Sequence, residues 1–153
     1  MIYTIPTTAE QFNDAVKLFN EYANSLDISL DFQNFQDELF IISTMYGSPT
    51  GCLLLVYENE SPIACAAYRK IDEGICVLKR MYIKPQFRKM QIGQTLLDRL
   101  TNKACMNGYH LMRLDTLDTM LPALHLYKKN GFYEIPAYCH NPNEGVVYME
   151  KKL

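Results

Sequence analysis

Surplus charge of either sign is what this sequence has least of. Lysine and arginine total 15 against 17 aspartates and glutamates, a formal −2 with a pI near 5.9. A chain so balanced does not hold nucleic-acid phosphates by bulk attraction. Long apolar runs are missing too: the longest, Cys52 to Tyr57, has the length of a strand and not of a membrane span. Met1 to Pro6 lacks the basic start and apolar segment of a secretory signal, so a cytoplasmic protein without membrane attachment is expected. Five cysteines (Cys52, Cys65, Cys76, Cys105, Cys139) are odd in number and widely spaced, with no C-x-x-C pair. That pattern speaks against a disulfide framework and against zinc, and suits small thiols in a reducing compartment. His110, His125 and His140 show no ligand spacing either, so no metal is expected. Low-complexity runs, internal repeats and linkers are also absent. At 153 residues and 48% hydrophobic content, the chain reads as one domain, 1–153, with a sizeable core.

What is present is a clear alternation of periods. Ile2 to Ile5 reads as a short strand ended by Pro6. Thr7 or Thr8 then caps a helix, with Glu10 or Gln11 completing a capping box. Phe12, Ala15, Val16, Phe19, Tyr22, Ala23 and Leu26 recur at helical spacing. A second helix is expected after Asp31, with Phe35, Leu39 and Ile42 inward and Gly47-Ser-Pro49 ending it. Thr50 to Tyr57, Ile63 to Arg69 and Gly74 to Ile83 read as three strands joined by short turns, an antiparallel meander. Beyond Pro85, Leu96, Leu97, Leu100 and Ala104 share a helical face, with Gly108 at the C-cap. His110 to Asp115 is strand-like, and Pro122 sits in the first turn of a helix stopping at Asn130-Gly131. Phe132 to Ile135 and Val146 to Lys151 close the series. The order is that of a single mixed α/β domain.

The chemistry concentrates where the fourth strand runs through a basic loop into a helix, from Leu78 to Leu97. A helix start leaves backbone N–H groups unpaired and carries partial positive charge, so an anion such as a pyrophosphate fits there. Gly93 removes a side chain where a ligand could approach, and Lys84, Arg88 and Lys89 add positive charge. No Gly-Lys-Ser/Thr follows the glycine, which excludes a nucleotide P-loop. No G-x-G-x-x-G is present, and the preceding strands form a meander, which excludes a dinucleotide fold.

A second segment, Leu126-Tyr127-Lys-Lys-Asn-Gly131-Phe132, follows about thirty residues later. Together the two segments resemble the GNAT superfamily of N-acetyltransferases. That family has Gln/Arg-x-x-Gly-x-Gly/Ala after its fourth strand and commonly Leu-Tyr-x-x-x-Gly-Phe on its later helix. Arg88 and Gly93 supply the ends of the first pattern, and the second matches in full. Gln91 stands where the family usually has its first glycine, and Met120 where many members have an asparagine. The element order is also the family's.

The resemblance implies a mixed, mainly antiparallel central sheet flanked by helices, with acetyl-CoA as cosubstrate and a primary amine of a small molecule or a protein as acceptor. It implies that the fourth and fifth strands part around the pantetheine arm, with Met81 and Ile83 offering backbone groups to the arm and the thioester. The backbone of Arg88, Lys89, Met90, Gln91, Ile92, Gly93 and Gln94 would hold the pyrophosphate, with Arg88 and Lys89 adding charge-assisted contacts. Tyr127 would give a proton to the departing sulfur, its phenol being only slightly weaker as an acid than the thiol. Asp115 and Glu73 are the positions to examine for a base, neither of them named catalytic. Cys76 on the fourth strand has no neighbour in sequence that would activate it as an acyl carrier. Residues 137–145, with Tyr138, His140, Asn141 and Glu144, either line the acceptor pocket or form a polar surface turn. An acyl-CoA-binding regulatory module without catalysis is the alternative reading, and self-association as a homodimer stays open.

Overall fold

Thr8 starts the first helix as its pattern requires. Its side chain accepts from the Gln11 N–H while the Gln11 side chain reaches back to the cap, a complete capping box. In the computed structural model, which describes residues 1–31 and 34–153, that helix is α1 (Ala9–Ser25). It follows β1 (Ile2–Thr4) and buries Ala15, Leu18 and Phe19. The expected second helix is two short ones, α2 (Phe35–Phe40) and α3 (Ile42–Met45), separated at Ile41, whose φ of −114° leaves the helical region. Phe35 and Ile42 point inward as expected, while the start of this segment lies outside the described residues. The fully inward residue between them is Glu38 and not Leu39, which is only half-buried.

The meander forms β2 (Cys52–Glu58), β3 (Ser61–Asp72) and β4 (Ile75–Ile83), paired antiparallel through turns of two residues. A short 3-10 turn at Pro85–Phe87 leads to α4 (Ile92–Met106). Gly108 closes α4 at φ 90°, a left-handed conformation that needs no Cβ. Then come β5 (Leu111–Leu117), α5 (Leu121–Lys129), β6 (Tyr133–Ile135) and β7 (Val146–Lys152).

The seven strands form one sheet in the order β1-β2-β3-β4-β5-β7-β6. Only β4 and β5 run parallel, and α4 makes the crossover between them. The helices divide into two layers. α4 and α5 cover one face, where Leu96, Leu97 and Leu100 meet Leu54, Leu78 and Leu114. α1, α2 and α3 cover the other, where Leu18, Phe19 and Phe35 meet Leu53, Leu55 and Ala67. The chain is a single mixed α/β domain with a mostly antiparallel sheet between two helical layers.

The pairing of β4 with β5 stops early. It joins Ile75 to Leu111, Cys76 to Met112 and Val77 to Arg113, and no further. Beyond Val77, β4 stays with β3 as far as Ile83, while β5 stays with β7 as far as Leu117. The sheet therefore splits down its middle. An extra β4 residue opposite Cys65–Ala67 accentuates the split, and Arg80 there takes a positive φ of 58°. Such a bulge bends its strand and re-aims side chains.

Candidate active site

The split opens a cleft of about 660 Å³ that reaches both helical layers. Met81, Ile83, Arg88, Gly93 and Tyr127 all line it, so five of the residues singled out in the sequence converge on one space. The unpaired edge of β4 that faces the cleft carries backbone groups for which β5 offers no partners.

Next to it, the loop before α4 is receptive to anions. Among the described residues, no backbone N–H from Lys89 to Gln94 donates a hydrogen bond. Lys89 and Gln91 adopt positive φ (65° and 61°), a winding that turns successive N–H groups toward a common concavity. α4 has no side-chain cap, which leaves its first donors and partial positive charge available. Gly93 sits under this loop, where a Cβ would meet Leu126 at 3.3 Å and Ile83 at 3.4 Å. The loop and its glycine thus fit a phosphate-bearing ligand by shape and by donor count.

The individual side chains behave differently. Arg88 is exposed, and its Nε donates to the Ile83 carbonyl at 3.1 Å, so that carbonyl already has a partner. Lys89, Met90 and Gln91 are exposed. Ile92 is buried in the core, so only its backbone faces the loop. The Gln94 side chain is tied to Asp98 and Asn130 at 2.9 and 2.7 Å. Met120, at the N-terminal boundary of α5, lines the cleft and accepts from the Thr116 hydroxyl through its sulfur at 3.5 Å.

Tyr127 lies in α5 with its ring against Phe132 (5.6 Å between centroids) and its hydroxyl 4.0 Å from the Met81 sulfur. Burial, reinforced by nearby Tyr22, raises its pKa above that of an ordinary phenol. The hydroxyl is therefore held as a donor across physiological pH. Full transfer of its proton is less closely matched than an ordinary phenol would allow.

Toward α1 and α2 the cleft becomes charged. Arg80 donates from Nε and Nη2 to the two Glu38 oxygens at 2.8 and 2.7 Å, a bidentate pair buried on both sides. The Arg80 guanidinium also lies over the Phe35 ring at 5.2 Å. Lys79 is 3.8 Å from Asp115, whose oxygens accept from the Tyr138 hydroxyl at 3.3 Å and from Asn141 Nδ2 at 2.9 Å. The β4 bulge explains why adjacent residues Lys79 and Arg80 both reach this side. Asn141 lines the cleft and Tyr138 braces Asp115, whereas His140 and Glu144 are exposed. Of residues 137–145, Asn141 thus lines the cleft, while His140 and Glu144 belong to an exposed surface turn.

Glu73 belongs to the turn before β4, exposed and paired with Lys70 at 3.0 Å, away from the cleft. Cys76 is fully buried, and burial pushes its thiol up to about 12, which leaves no thiolate at neutral pH. Sequence reasoning missed Lys79, Arg80, Glu38 and Tyr22. Two consecutive charges inside an apolar strand, Leu78-Lys-Arg-Met81, were the readable sign of a bulge. Glu38, on a face otherwise marked by Phe35 and Ile42, was the sign of its partner.

A sheet split between two parallel strands, with an uncapped helix start beside the split, is the arrangement the motifs implied. The family description "Acetyltransferase (GNAT) family" matches residues 12–132. The chain belongs to the GNAT acetyltransferase family. An uncharacterised N-acetyltransferase of Schizosaccharomyces pombe is 36% identical over 146 residues, 94% of this chain and 90% of that protein. The crystal structure of an acetyltransferase from Streptococcus agalactiae 2603 superposes with a TM-score of 0.83 at 23% identity, covering 99% and 98% of the two chains. The PaiA N-acetyltransferase of Thermoplasma acidophilum, solved in complex with coenzyme A, gives 0.76 at 19%, covering 100% of each. At these identities the two structures speak for the fold. No helix among the described residues is long and apolar enough to cross a membrane.

Proposed function

We propose that this chain transfers an acetyl group from acetyl-CoA to a primary amine. The observation that carries the reading is the parting of β4 from β5 after Val77, with Tyr127 and Gly93 lining the space between. Acetyl-CoA, when bound, supplies an activated acyl thioester. The backbone from Lys89 to Gln94 holds its pyrophosphate through free N–H groups, and Lys89 adds an exposed charge. Arg88 joins by exchanging its hold on the Ile83 carbonyl for a phosphate oxygen, which frees that carbonyl for the pantetheine arm. Met81 offers backbone groups on the unpaired β4 edge.

The acceptor amine enters from the α1–α2 side, where Tyr22 and Asn141 line the cleft. Asp115, fixed by Tyr138 and Asn141, takes up the proton an ammonium must lose, directly or through water. Tyr127 keeps its proton and presents it to the departing sulfur, stabilising the developing thiolate by hydrogen bonding.

The test is free-thiol release from acetyl-CoA against a panel of amines, with Tyr127→Phe as control. Thiol release that depends on the amine and drops sharply in the variant supports the reading. Coenzyme binding with no release for any amine would instead make the chain an acyl-CoA-binding regulatory module. Failure to bind coenzyme A by calorimetry would remove both.

A further inference from the structure

Lys79 is a buried cation lining an open cleft, and its surroundings do not satisfy it. Its side chain is 12% exposed, and among the described residues its ammonium donates no hydrogen bond. Asp115 stands 3.8 Å away, beyond hydrogen-bond distance. Both Asp115 oxygens already have donors, Tyr138 and Asn141. The neighbouring anion Glu38 is held by Arg80 through both its oxygens. Arg69 on β3 adds further positive charge. The charged groups acting most on Lys79 are Arg69 and Arg80 against Glu38 and Asp115, and Asp27 and Arg88 also line the cleft. Buried charges are normally paired and hydrogen-bonded, and this one retains free N–H groups facing a space built for a substrate.

We propose that the acceptor is an amine that also carries a carboxylate, an amino-acid-like molecule, and that Lys79 receives the carboxylate. The proposal rests on the transferase reading and narrows its acceptor. A monoanion suits one ammonium donor that has no hydrogen-bonded partner. A dianionic phosphate would lie against Asp115, with Arg80 already committed to Glu38. Burial, as the main cause, holds the Lys79 pKa below its ordinary value, with Arg80 and Arg69 adding to the effect against Asp115 and Glu38. An arriving carboxylate relieves that deficit.

The experiment uses matched acceptors: free amino acids with small, aromatic and basic side chains, the corresponding carboxamides, and the decarboxylated amines. Aminoalkyl phosphates form a fourth arm. The whole chain is assayed for thiol release from acetyl-CoA, wild type beside Lys79→Met and Lys79→Arg, with coenzyme A affinity measured by calorimetry for each. The expected result is that at least one free amino acid exceeds its carboxamide and amine about tenfold or more in kcat/KM. That ratio should fall to about twofold or less in Lys79→Met and survive in part in Lys79→Arg, with coenzyme affinity unchanged. Carboxamides or plain amines matching the free acids would overturn the proposal. So would a phosphate arm that beats them, a ratio untouched in a folded Lys79→Met, or no acceptor turned over by a wild type that binds coenzyme A. Loss of coenzyme binding by the wild type would sink the transferase reading itself, which separates the two failures.

Discussion

The two faces of the split sheet solve different problems with different materials. On the α4–α5 face the buried side chains are apolar or tyrosine except Thr101, whose hydroxyl donates to the Leu97 carbonyl within α4, and the groups left over for a ligand are backbone N–H donors of the loop and helix start. On the α1–α3 face the cleft is furnished with side-chain charge: Arg80 with Glu38, Lys79 with Asp115. Backbone donors recognise a phosphate in any member of a family, because they do not depend on which side chains are present. Side-chain charge discriminates one small molecule from another. On the proposed function, the cosubstrate is read by main chain and the acceptor by side chain, with β4 as the shared wall.

The largest test of this division is Glu38→Ala, which strands the buried Arg80 cation on the α1–α3 face. Breaking a buried pair in this way should lower stability by about 3–5 kcal/mol, read from urea denaturation. Replacing both partners with apolar residues (Glu38→Leu with Arg80→Met) should recover most of that loss, because no charge is left uncompensated. If both forms were as stable as wild type, the charged face would not be the pre-organised wall described above.

Tyr127→Phe acts where the two faces meet. Its turnover should fall on the order of a hundredfold while coenzyme affinity measured by calorimetry stays unchanged. A smaller change belongs to the backbone face. Gln91 holds a left-handed conformation at φ 61°, which glycine adopts without penalty. Gln91→Gly should therefore raise stability by ~1 kcal/mol and leave coenzyme binding at least as tight. Weaker binding would show that the glutamine side chain, and not only the backbone, touches the coenzyme.

The smallest effect lies at the far edge, where Glu150 on β7 receives the Tyr133 hydroxyl at 2.7 Å and Arg113 Nε at 2.9 Å. Burial pulls the Glu150 pKa upward, but these two hydrogen bonds prevail and hold it below its ordinary 4.5. A lowered carboxylate pKa contributes stability that is complete above the ordinary value and lost as pH falls through the lowered one. Melting temperature should thus decline slightly more between pH 5 and 3 in wild type than in Glu150→Gln. Arg113 also lies over the Tyr138 ring at 5.5 Å, so this edge supports the loop that braces Asp115.

Much of this could be read before any coordinates. The Thr8–Gln11 box, the meander, the Gly108 stop and the two motifs around Gly93 and Tyr127 are local features, each set by residues a few positions apart. Three expectations needed correction. The single second helix breaks at Ile41, where φ is −114°. The inward residue between Phe35 and Ile42 is Glu38 and not Leu39, and Glu38 pairs with Arg80, 42 residues away in the chain. The Tyr127 phenol is a weaker acid than an ordinary one, because burial by residues from other elements shifts it. Asp115 and Glu73 looked equivalent in the sequence, and only the sheet shows Asp115 lining the cleft and Glu73 at an outer turn.

The amino-acid sequence by itself determined the strand and helix order, the phosphate-receptive loop and the tyrosine that faces the split. Those depend on periodicity, caps and short spacings, which act over one or two turns of chain. Tertiary structure alone decided the charged wall of the cleft. Lys79, Arg80, Glu38, Asp115 and Asn141 come from β4, α2, β5 and the last loop, and meet only because a one-residue bulge turns two adjacent cations to the same side. Charge pairing over such separations has no local signature, since Coulomb energy depends on distance in space and not along the chain.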